Sequence, residues 1–466
     1  MTNKKIFILL PDGVGLRNFA YSNFHDIGIE KEFDVIFWNN TMFSIEDLGF
    51  KEIKINNAKT HPLTDIYKIV KIQLTLNQFI KNSKDKIYES YKFPFSYRNL
   101  KASIKSCVVN SLILLNSSKK GLKRISNKIT IEERKTLYYY QSKQTLEREK
   151  PSMVFCTNQR QILSVAPLLA AKDLNIPTAT FIFSWDNLPK ATMIVETDFY
   201  FVWSQYMKDE LLLYYPYINE NQIIITGTPQ FEMHFDAKKK WSKIDFFDKY
   251  NLDIHKKYIC FSGDDITSSP DDPLYLKDIS NAIRILNTKN HNLGIIFRRC
   301  PVDFSNRYDE VLKEYSDIIA PIDPLWKPLT TQWNTILPLK EDDTLFSNIA
   351  EFSEMVVNLG SSTIFDFAAH NKPCGYFNYN QEFQLNNKWD IHKCYKFVHF
   401  RSMPNKNAVF WLENSNEIVQ KIESLLDSST SQSTIFEAKK WFETINQHPP
   451  EKASERIWNA IEVIIK

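Results

Sequence analysis

The chain has 466 residues, too many for one ordinary hydrophobic core, and this length predicts two or three domains. Its six cysteines are scattered without Cys-x-x-Cys spacing or a cluster with histidine, which argues against a zinc site and is typical of a reducing cytoplasm. No uninterrupted apolar run approaches the roughly eighteen residues of a membrane-spanning helix. The first apolar run, Ile6–Leu10, is too short for a signal-peptide core and predicts a first strand.

The formal net charge of +3 hides one strongly basic region. Residues 81–150 hold thirteen lysines and four arginines against one aspartate and five glutamates, a net charge of +11, so the rest of the chain sums to −8. Two interpretations stay open: a solvated helical surface, or a surface that docks on anionic lipid headgroups or on a phosphate-bearing acceptor. The apolar run Val108–Leu115 in this region belongs either to a core or to a membrane-facing surface.

Short β-rich runs alternate with longer helical stretches in both halves of the chain, which is typical of parallel sheets with crossover helices. Between Asp65 and Lys150 the pattern is helical and largely strand-free, so we interpret residues 65–150 as an insertion that carries the basic charge. The predicted strands of the first half are Ile6–Leu10, Asp34–Trp38, Met153–Cys156, Thr178–Phe183, Phe199–Val202 and Ile223–Thr226.

A polar segment without a strand pattern, Ala237–Tyr250, predicts the linker to a second α/β series. The predicted domains are therefore 1–236 and 251–445, followed by a C-terminal helix, 446–466, that packs back on the first domain. The predicted strands of the second half are Tyr258–Phe261, Leu293–Phe297, Thr335–Leu337, Met355–Asn358 and Cys374–Phe377. The predicted helices are Leu274–Leu286, Asp343–Phe352, Ser362–His370, Thr434–Ile445 and Glu451–Ile465, with a polar loop at Ser428–Ser433.

A Gly-Ser-Ser-Thr turn joins the predicted strand Met355–Asn358 to the helix after it. Free amide N–H groups at a helix start, with the positive end of the helix dipole, form an anion site. An N-cap needs only one serine or threonine, so the cluster of hydroxyls favours a phosphate site. The carboxylate one turn into the helix is placed to accept from ribose hydroxyls. The predicted ligand residues are Gly360, Ser361, Ser362, Thr363 and Asp366.

At these residues the chain resembles the two-domain GT-B glycosyltransferases. Residues 183–188, Phe-Ser-Trp-Asp-Asn-Leu, with 201–204 and 225–231, are similar to the Ser-Trp-Asp-Asn and Thr-Gly blocks of bacterial surface-polysaccharide glycosyltransferases. The block 361–367 is similar to that of the CDP-glycerol glycerophosphotransferases. The resemblance covers roughly residues 150–380. It implies an α/β protein of GT-B fold, with two Rossmann-like domains whose parallel sheets face an interdomain cleft.

Departures from related patterns narrow the choice of reaction. Asn358 stands eight residues before Asp366, so the Glu-x7-Glu motif of many retaining GT-B enzymes is absent. Sugar-nucleotide 2-epimerases would show a double glycine and paired glutamates here, whereas this chain has Gly-Ser-Ser and a single aspartate, which weakens that interpretation. Cys300 replaces the histidine of the Arg-x-His-Pro block of the glycerophosphotransferases, so polyol-phosphate transfer is less favoured and stays open.

Two arginines at the end of an apolar strand, Arg298 and Arg299, are candidates for gripping a pyrophosphate, because an arginine fork binds two oxygens at once. We expect one of the two, not both, to contact the donor. Gly263 follows another predicted strand and, with Asp264 and Asp265, either borders the donor site or forms an ordinary turn.

A general base is expected in the first domain, because an acceptor hydroxyl must lose a proton when it attacks an anomeric carbon. Asp12 lies in the Pro-Asp-Gly turn after the first strand, and the alternative is ordinary turn chemistry. Asp186 is the second candidate, with a structural role for its carboxylate as the alternative. His25 and His234 are weaker candidates, since a lone histidine is more often structural.

These observations together predict an inverting, metal-independent glycosyltransferase without a cofactor, acting in cell-surface glycan synthesis. The first domain would bind a glycan or lipid-linked acceptor and the second a nucleotide-sugar donor, with no nucleic-acid partner. The expected location is cytoplasmic, with peripheral contact between residues 81–150 and the inner membrane. Two alternatives remain: transfer of a polyol phosphate from a CDP donor, and a noncatalytic nucleotide-sugar binding or scaffold protein.

Overall fold

In a computed structural model, which describes residues 4–329, 335–386 and 388–466, the chain divides into two units. The first consists of Met1–Pro229 with Lys452–Lys466, and the second of Gln230–Glu451. Each unit contains one parallel sheet, of seven strands in the first and six in the second. No helix of the described residues is long and apolar enough to cross a membrane.

The first sheet has the order β3-β2-β1-β4-β5-β6-β7, with every neighbouring pair parallel. Its central strands are continuous apolar runs because both faces are covered, and Ile6 to Leu10 have no exposed side chain. The strands are β1 Lys5–Leu10, β2 Asp34–Asn39, β3 Glu52–Lys54, β4 Met153–Cys156, β5 Thr178–Phe181, β6 Phe199–Val202 and β7 Ile223–Ile225.

Helices of the first unit flank this sheet, and four of them follow one another without an intervening strand. These four form the basic insertion, in which α3, α4 and α5 share a small core of Val70, Leu74, Val109 and Ile125. The helices are α1 Val14–Phe19, α2 Asn23–Glu30, α3 Thr64–Ser83, α4 Leu100–Leu115, α5 Lys119–Glu133, α6 Leu137–Glu149, α7 Val165–Asp173 and α8 Gln205–Tyr214.

The second sheet has the order β10-β9-β8-β13-β14-β15 and is also parallel throughout. A separate antiparallel pair, β11 with β12, lies outside it. The strands are β8 Lys257–Ser262, β9 Leu293–Arg298, β10 Ile319–Pro321, β11 Trp326–Pro328, β12 Ile336–Pro338, β13 Ser353–Asn358, β14 Cys374–Phe377 and β15 Phe410–Leu412.

The helices of the second unit are α9 Lys243–Lys249, α10 Asp272–Thr288, α11 Asp309–Glu314, α12 Glu341–Phe352, α13 Thr363–Ala369, α14 Ile391–Cys394, α15 Ile418–Leu425 and α16 Ser428–Ile445. The last helix of the chain, α17 Ala453–Ile464, returns to the first unit. There Trp458 stacks on Phe24 and Phe33 at ring-centroid distances of 4.8 and 4.7 Å. Aromatic packing of this kind fixes the helix against α2 and β2.

Three sequence-based predictions differ from the structure. The predicted linker 237–250 lies inside the second unit, because α9 buries Phe246 and Phe247. The predicted loop 428–433 forms the first turns of α16. The helix begins there because the side chain of its N-cap residue, Asp427, accepts a hydrogen bond from the Ser429 amide. The strand predicted at 335–337 is β12, which pairs with β11 and is not part of the parallel sheet.

Because each sheet is parallel, the turns after its strands lie along one edge, where ligands of such sheets bind. In the first unit this carboxyl edge carries the turns after β1, β4 and β5. In the second unit it carries those after β8, β9 and β13.

Candidate functional site

Asp12 lies at the carboxyl edge of the first sheet, directly after β1, and is only 2% exposed. Its Oδ2 accepts hydrogen bonds from Asn158 Nδ2 at 2.8 Å and Gln161 Nε2 at 2.9 Å. Its Oδ1 is buried without a hydrogen-bond partner among the described residues. One carboxylate oxygen is thus held by two amides while the other keeps its lone pairs free.

Burial raises the pKa of Asp12 above its ordinary value of 3.8, and the hydrogen bonds from Asn158 and Gln161 oppose the rise only in part. A carboxylate of raised pKa is a stronger proton acceptor than one in water. Asp12 therefore stays a candidate base, with one oxygen held by amides and the other buried without a partner among the described residues.

The turn after β4 supplies the amides around Asp12, and sequence reasoning missed it. Within this turn Gln159 Nε2 donates to Asn187 Oδ1 at 3.0 Å, and Gln159 Oε1 accepts from the Phe183 amide at 2.9 Å. The turns after β1, β4 and β5 are therefore joined by side-chain amides. The available signal was the polar run Thr-Asn-Gln-Arg-Gln directly after a buried strand.

Asp186, the second predicted base, lies in the turn after β5 with its carboxylate occupied. Ser184 Oγ and Asn187 Nδ2 each donate to its Oδ1 at 2.8 Å, and the Lys190 ammonium donates to its Oδ2. A carboxylate that already accepts from three donors has less capacity to take a proton from a substrate. Asp186 therefore differs from Asp12 in having both carboxylate oxygens bonded.

Glu210 on α8 is a third buried carboxyl of this unit that sequence reasoning did not single out. Its residue is 7% exposed, and it has no hydrogen bond or ion pair with any described residue. Burial, with a smaller contribution from the charge of Asp186, raises its pKa to about 8. A glutamate within a helix gives no sequence signal of such burial, so this group could be found only from the fold.

The Gly-Ser-Ser-Thr turn after β13 lies at the carboxyl edge of the second sheet, as expected, but several of its amides are already bonded. The amide of Leu359 donates to Asp264 Oδ2, that of Ser361 to Asn358 Oδ1, and that of Thr363 to Ser361 Oγ. The amides of Gly360 and Ser362 have no partner among the described residues, and both residues are half-buried. The anion site predicted here is therefore reduced to these two N–H groups.

The hydroxyls of this turn also interact mainly with one another. Ser361 Oγ lies 2.9 Å from Thr363 Oγ1, which lies 3.3 Å from Ser262 Oγ. Gly360 takes the left-handed backbone conformation, with φ of +69°, that a tight turn requires and glycine adopts at least cost. The helix that follows, α13, has only seven residues, so its dipole contributes less than predicted.

Asp366 is engaged within the protein through its Oδ1, which reduces its capacity to accept from ribose hydroxyls. His234 Nε2 lies 2.8 Å from Asp366 Oδ1, His234 Nδ1 lies 2.9 Å from His370 Nε2, and His370 Nδ1 lies 2.7 Å from Glu351 Oε2. The four side chains form one hydrogen-bonded chain from the buried Asp366 to the exposed Glu351. His234 and His370 are 136 residues apart, so no sequence pattern could have revealed the pair.

This chain of four groups constrains their protonation. Three hydrogen bonds need three protons, whereas two neutral imidazoles supply two. A third proton therefore resides on one of the four groups. Burial, with a smaller contribution from the neighbouring His234, lowers the pKa of His370 to about 4, so His370 is neutral near pH 7.

The two arginines at the end of β9 are also engaged by the protein. Arg298 is 5% exposed, and its Nη2 donates to both oxygens of Asp342, at 3.0 and 2.8 Å. Arg299 Nε donates to Asp323 Oδ1 at 2.9 Å, and its Nη1 to the Ser305 carbonyl at 3.1 Å. Arg298 Nη2 is thus committed to Asp342, whereas its Nη1 is buried without a hydrogen-bond partner among the described residues. Arg298 through Nη1 and the partly exposed Arg299 both stay candidates for the pyrophosphate.

Gly263 lies where the turn after β8 packs against the turn after β9. Its amide donates to the Arg298 carbonyl at 2.8 Å, and a Cβ placed on it would lie 2.9 Å from the Tyr308 hydroxyl and 3.4 Å from Arg299 Cα. The next residue, Asp264, links this turn to that of Gly360 through the Leu359 amide at 3.3 Å. Burial raises the pKa of Asp264 well above its usual range, and the neighbouring Asp272 adds to the rise.

Among the described residues, no group of three or more histidine, cysteine, aspartate and glutamate side chains is placed to hold a metal ion. The six cysteines are free thiols, and Cys300, which stands in the Arg-Arg-Cys-Pro block, has its pKa raised to about 12 by burial.

Comparisons with known proteins identify the fold. No family model matches the chain, and no curated protein matches it. Solved structures do: a UDP-GlcNAc 2-epimerase from Methanocaldococcus jannaschii is 15% identical, with a TM-score of 0.52, over 98% of this chain and 99% of that one. A glycosyltransferase from Rickettsia africae is 12% identical, with a TM-score of 0.51, over the full length of both chains.

A third solved structure, the wall teichoic acid polymerase TagF, is 12% identical with a TM-score of 0.50, over all of this chain and 89% of that one. The chain has the GT-B fold. At identities this low the likeness concerns the fold, which confirms the predicted GT-B resemblance and the α/β class but leaves the reaction to be argued from the site.

Proposed function

We propose that this GT-B protein is a glycosyltransferase that moves a sugar from a nucleotide-activated donor to a surface-glycan or lipid-linked acceptor. The observation that carries the proposal is Asp12: a buried carboxylate with raised pKa, one oxygen held by Asn158 and Gln161 and the other unbonded. Such a group is suited to take a proton, which is what this reaction requires. The fold shared with a solved glycosyltransferase supports the assignment.

In the proposed mechanism the acceptor hydroxyl attacks the anomeric carbon of the donor, and its proton passes to Asp12 Oδ1. The new bond to carbon forms as the bond to the nucleotide phosphate breaks, which inverts the anomeric centre. Asn158 and Gln161 keep the carboxylate oriented through Oδ2. A base positioned in this way contributes roughly 10² to 10⁴ in rate.

The second unit would bind the nucleotide, through the free amides of Gly360 and Ser362 and through Arg299. Backbone N–H groups and a guanidinium stabilise the negative charge that develops on the departing phosphate. Of the other residues predicted for this role, Arg298 binds Asp342 through Nη2 and Asp366 binds His234 through Oδ1, which leaves Arg298 Nη1 as a further donor for the phosphate.

The test is Asp12→Asn, which keeps the shape of the side chain and removes the base. We expect donor-dependent transfer to fall by about 10² to 10⁴ while nucleotide binding, measured by thermal shift against UDP, GDP, CDP, CMP and dTDP, stays unchanged. The matched control is Asp186→Asn, which alters an occupied carboxylate and should lower turnover far less. Unchanged turnover in Asp12→Asn would remove Asp12 from its role.

Transfer of a polyol phosphate from a CDP donor is the second candidate. It is favoured by the block 361–367, which is similar to that of the glycerophosphotransferases, and by the likeness of fold to TagF. Selective stabilisation by CDP or CMP, with release of CMP on turnover, would support this candidate over sugar transfer. Nucleotide binding without turnover of any donor would instead indicate a noncatalytic protein.

A further inference from the structure

Helix α4 exposes a row of large aliphatic side chains on its outer face. Leu100 is 78% exposed, Ile104 55%, Val108 40% and Leu115 77%. Their spacing of four, four and seven residues puts them on one side of the helix, and Leu114, 71% exposed, borders them. An exposed apolar row of this length is unusual for a surface helix in water.

The opposite side of α4 packs against the helices α3 and α5 of the first unit. Val109 is buried in the core shared with α3 and α5, and Leu112 and Ile113 pack against that core. The helix is therefore apolar on both sides, and only one side is covered by the protein. An exposed aliphatic row on the second side of a surface helix indicates a surface that contacts protein or membrane.

The segment that contains this helix has basic side chains and no acidic ones. Residues 90–131 contain no aspartate or glutamate and nine lysines and arginines. Lys101 on α4 and Lys119, Lys120 and Lys123 at the start of α5 are exposed, and none has an ion-pair partner among the described residues. The segment before α4 adds exposed aromatic side chains, Phe93 and Tyr97.

We propose that this α4 surface, formed by Leu100, Ile104, Val108, Leu114 and Leu115 with Lys101, Lys119, Lys120 and Lys123, docks on the face of an anionic phospholipid bilayer. Aliphatic side chains enter the boundary between headgroups and acyl chains, while lysines extend their ammonium groups to the lipid phosphates. Anionic lipid is the occupant that matches both properties at once, because it offers an apolar layer beneath a negative surface. The proposal does not depend on the proposed reaction.

A protein partner or a second copy of this chain matches the surface less well. The remainder of this chain has a net charge of −8, but this is spread over a sequence nearly six times as long as the basic region. Cores of protein interfaces are depleted in charged residues, and lysine in particular is depleted in them. An acid-free segment of nine cations beside exposed aliphatic side chains is typical of membrane-surface helices.

The experiment is flotation of the full chain with vesicles of phosphatidylcholine alone and of phosphatidylcholine with phosphatidylglycerol. We expect binding to the anionic vesicles, little to the neutral ones, and loss of binding as salt is raised, because headgroup attraction is screened. Binding that is equal for the two compositions, or absent from both, overturns the proposal.

Two variants separate the apolar and the charged contributions. Ile104→Ser with Leu115→Ser should weaken binding to anionic vesicles about tenfold or more, since two aliphatic side chains no longer enter the membrane. Lys119→Glu with Lys123→Glu should weaken it at least about twentyfold, since each lost cation costs about fivefold. All four side chains are exposed, so the fold should be kept, as circular dichroism would verify.

The matched controls change the same residue types elsewhere on the surface. Ile244→Ser with Val463→Ser removes aliphatic side chains that are 64% and 72% exposed on other helices. Lys313→Glu with Lys439→Glu reverses two exposed charges outside the basic region. Binding kept by both controls and lost by both variants supports the proposal. A concentration-dependent dimer that only Ile104→Ser with Leu115→Ser disrupts, in the absence of vesicle binding, would identify a second copy as the occupant and overturn it.

Discussion

Two buried charged side chains, Asp12 at the carboxyl edge of the first sheet and Arg298 at that of the second, are held in different ways. Asp12 accepts hydrogen bonds from the amides of Asn158 and Gln161, and Glu210, on α8 of the same unit, has no side-chain hydrogen bond or ion pair with the residues that the structure describes. At the second edge Arg298 is paired with Asp342, and Arg307 with Asp303 at 2.7 Å. Both edges come from the same kind of parallel sheet, so the difference arises from side chains in the turns and helices, not from topology.

The two ways of holding a buried charged side chain have different consequences. The two charges of a buried ion pair bind each other and so fix the turn that carries them. A buried carboxyl without a cationic partner has a raised pKa and can exchange a proton with another group. The first edge is therefore suited to proton transfer and the second to positioning turns. Variants that remove one charge at each edge test this distinction directly.

The largest expected effect is on the second edge, with Arg298→Met. The methionine fills similar space but leaves the buried Asp342 without its cation, which should lower the free energy of unfolding by about 3–5 kcal/mol. The measurement is urea unfolding of the full chain, with hydrogen exchange in β8 and β9 to locate the loss in the second unit.

The matched control for Arg298→Met is Arg284→Met, which breaks an exposed pair with Asp317 and should change stability little. Unchanged stability of Arg298→Met, together with a lost thermal shift from nucleotide, would contradict the pairing and return Arg298 to the phosphate-binding role predicted from sequence.

An effect of comparable size and opposite sign, confined to high pH, is expected in the first unit with Glu210→Gln. With a folded pKa of about 8, the native state keeps a proton that the unfolded chain has released above its ordinary value of 4.5. Stability of the wild type should therefore fall as pH rises between these values, by about 1.4 kcal/mol per unit. Glutamine does not titrate, so the variant should exceed the wild type by about 3–5 kcal/mol at pH 8 and by little near pH 5.

Glu220→Gln provides a control with the reverse sign. The hydrogen bond from Lys208 lowers the pKa of Glu220, so this pair contributes stability above the unfolded pKa and loses it as pH falls. Urea unfolding at several pH values should give stability differences of opposite sign for the two variants. A pH-independent difference for Glu210→Gln would mean that Glu210 has a partner in solution.

Most of the fold was predictable from the sequence because continuous apolar runs mark buried parallel strands. Met153–Cys156 and Phe199–Val202 were predicted with the bounds that the structure has. The strands that were missed, β3, β10, β11 and β15, have three residues each, which is too short for a periodic pattern. The linker was misplaced because α9 is polar on one side and its two buried phenylalanines are too few to show a helical period.

The candidate site was predictable only where a residue follows its strand directly, as Asp12 and Gly360 do. Which charges are neutralised could not be predicted, because the partners are distant in the chain. Asp342 is 44 residues from Arg298, and His234 is 132 from Asp366. The sequence thus predicted which turns lie at the edges of the sheets. It did not predict which charged side chains form ion pairs inside the protein and which stay available to a ligand.

The smallest expected effect concerns the turn that remains as the candidate phosphate site, tested by Gly360→Ala. An alanine at this position would have to adopt the left-handed backbone conformation, at a cost of about 1–2 kcal/mol. Its Cβ would lie 3.0 Å from Phe400 Cζ and 3.3 Å from Tyr395 Cε1. Gly49→Ala is the matched control, since it has a φ of +87° and nothing within 4 Å. Both variants should lower the melting temperature by a few degrees. Only Gly360→Ala should also reduce the thermal shift from nucleotide, because the methyl group crowds the turn that carries the free amides of Gly360 and Ser362. An equal thermal shift in both variants would place the nucleotide elsewhere.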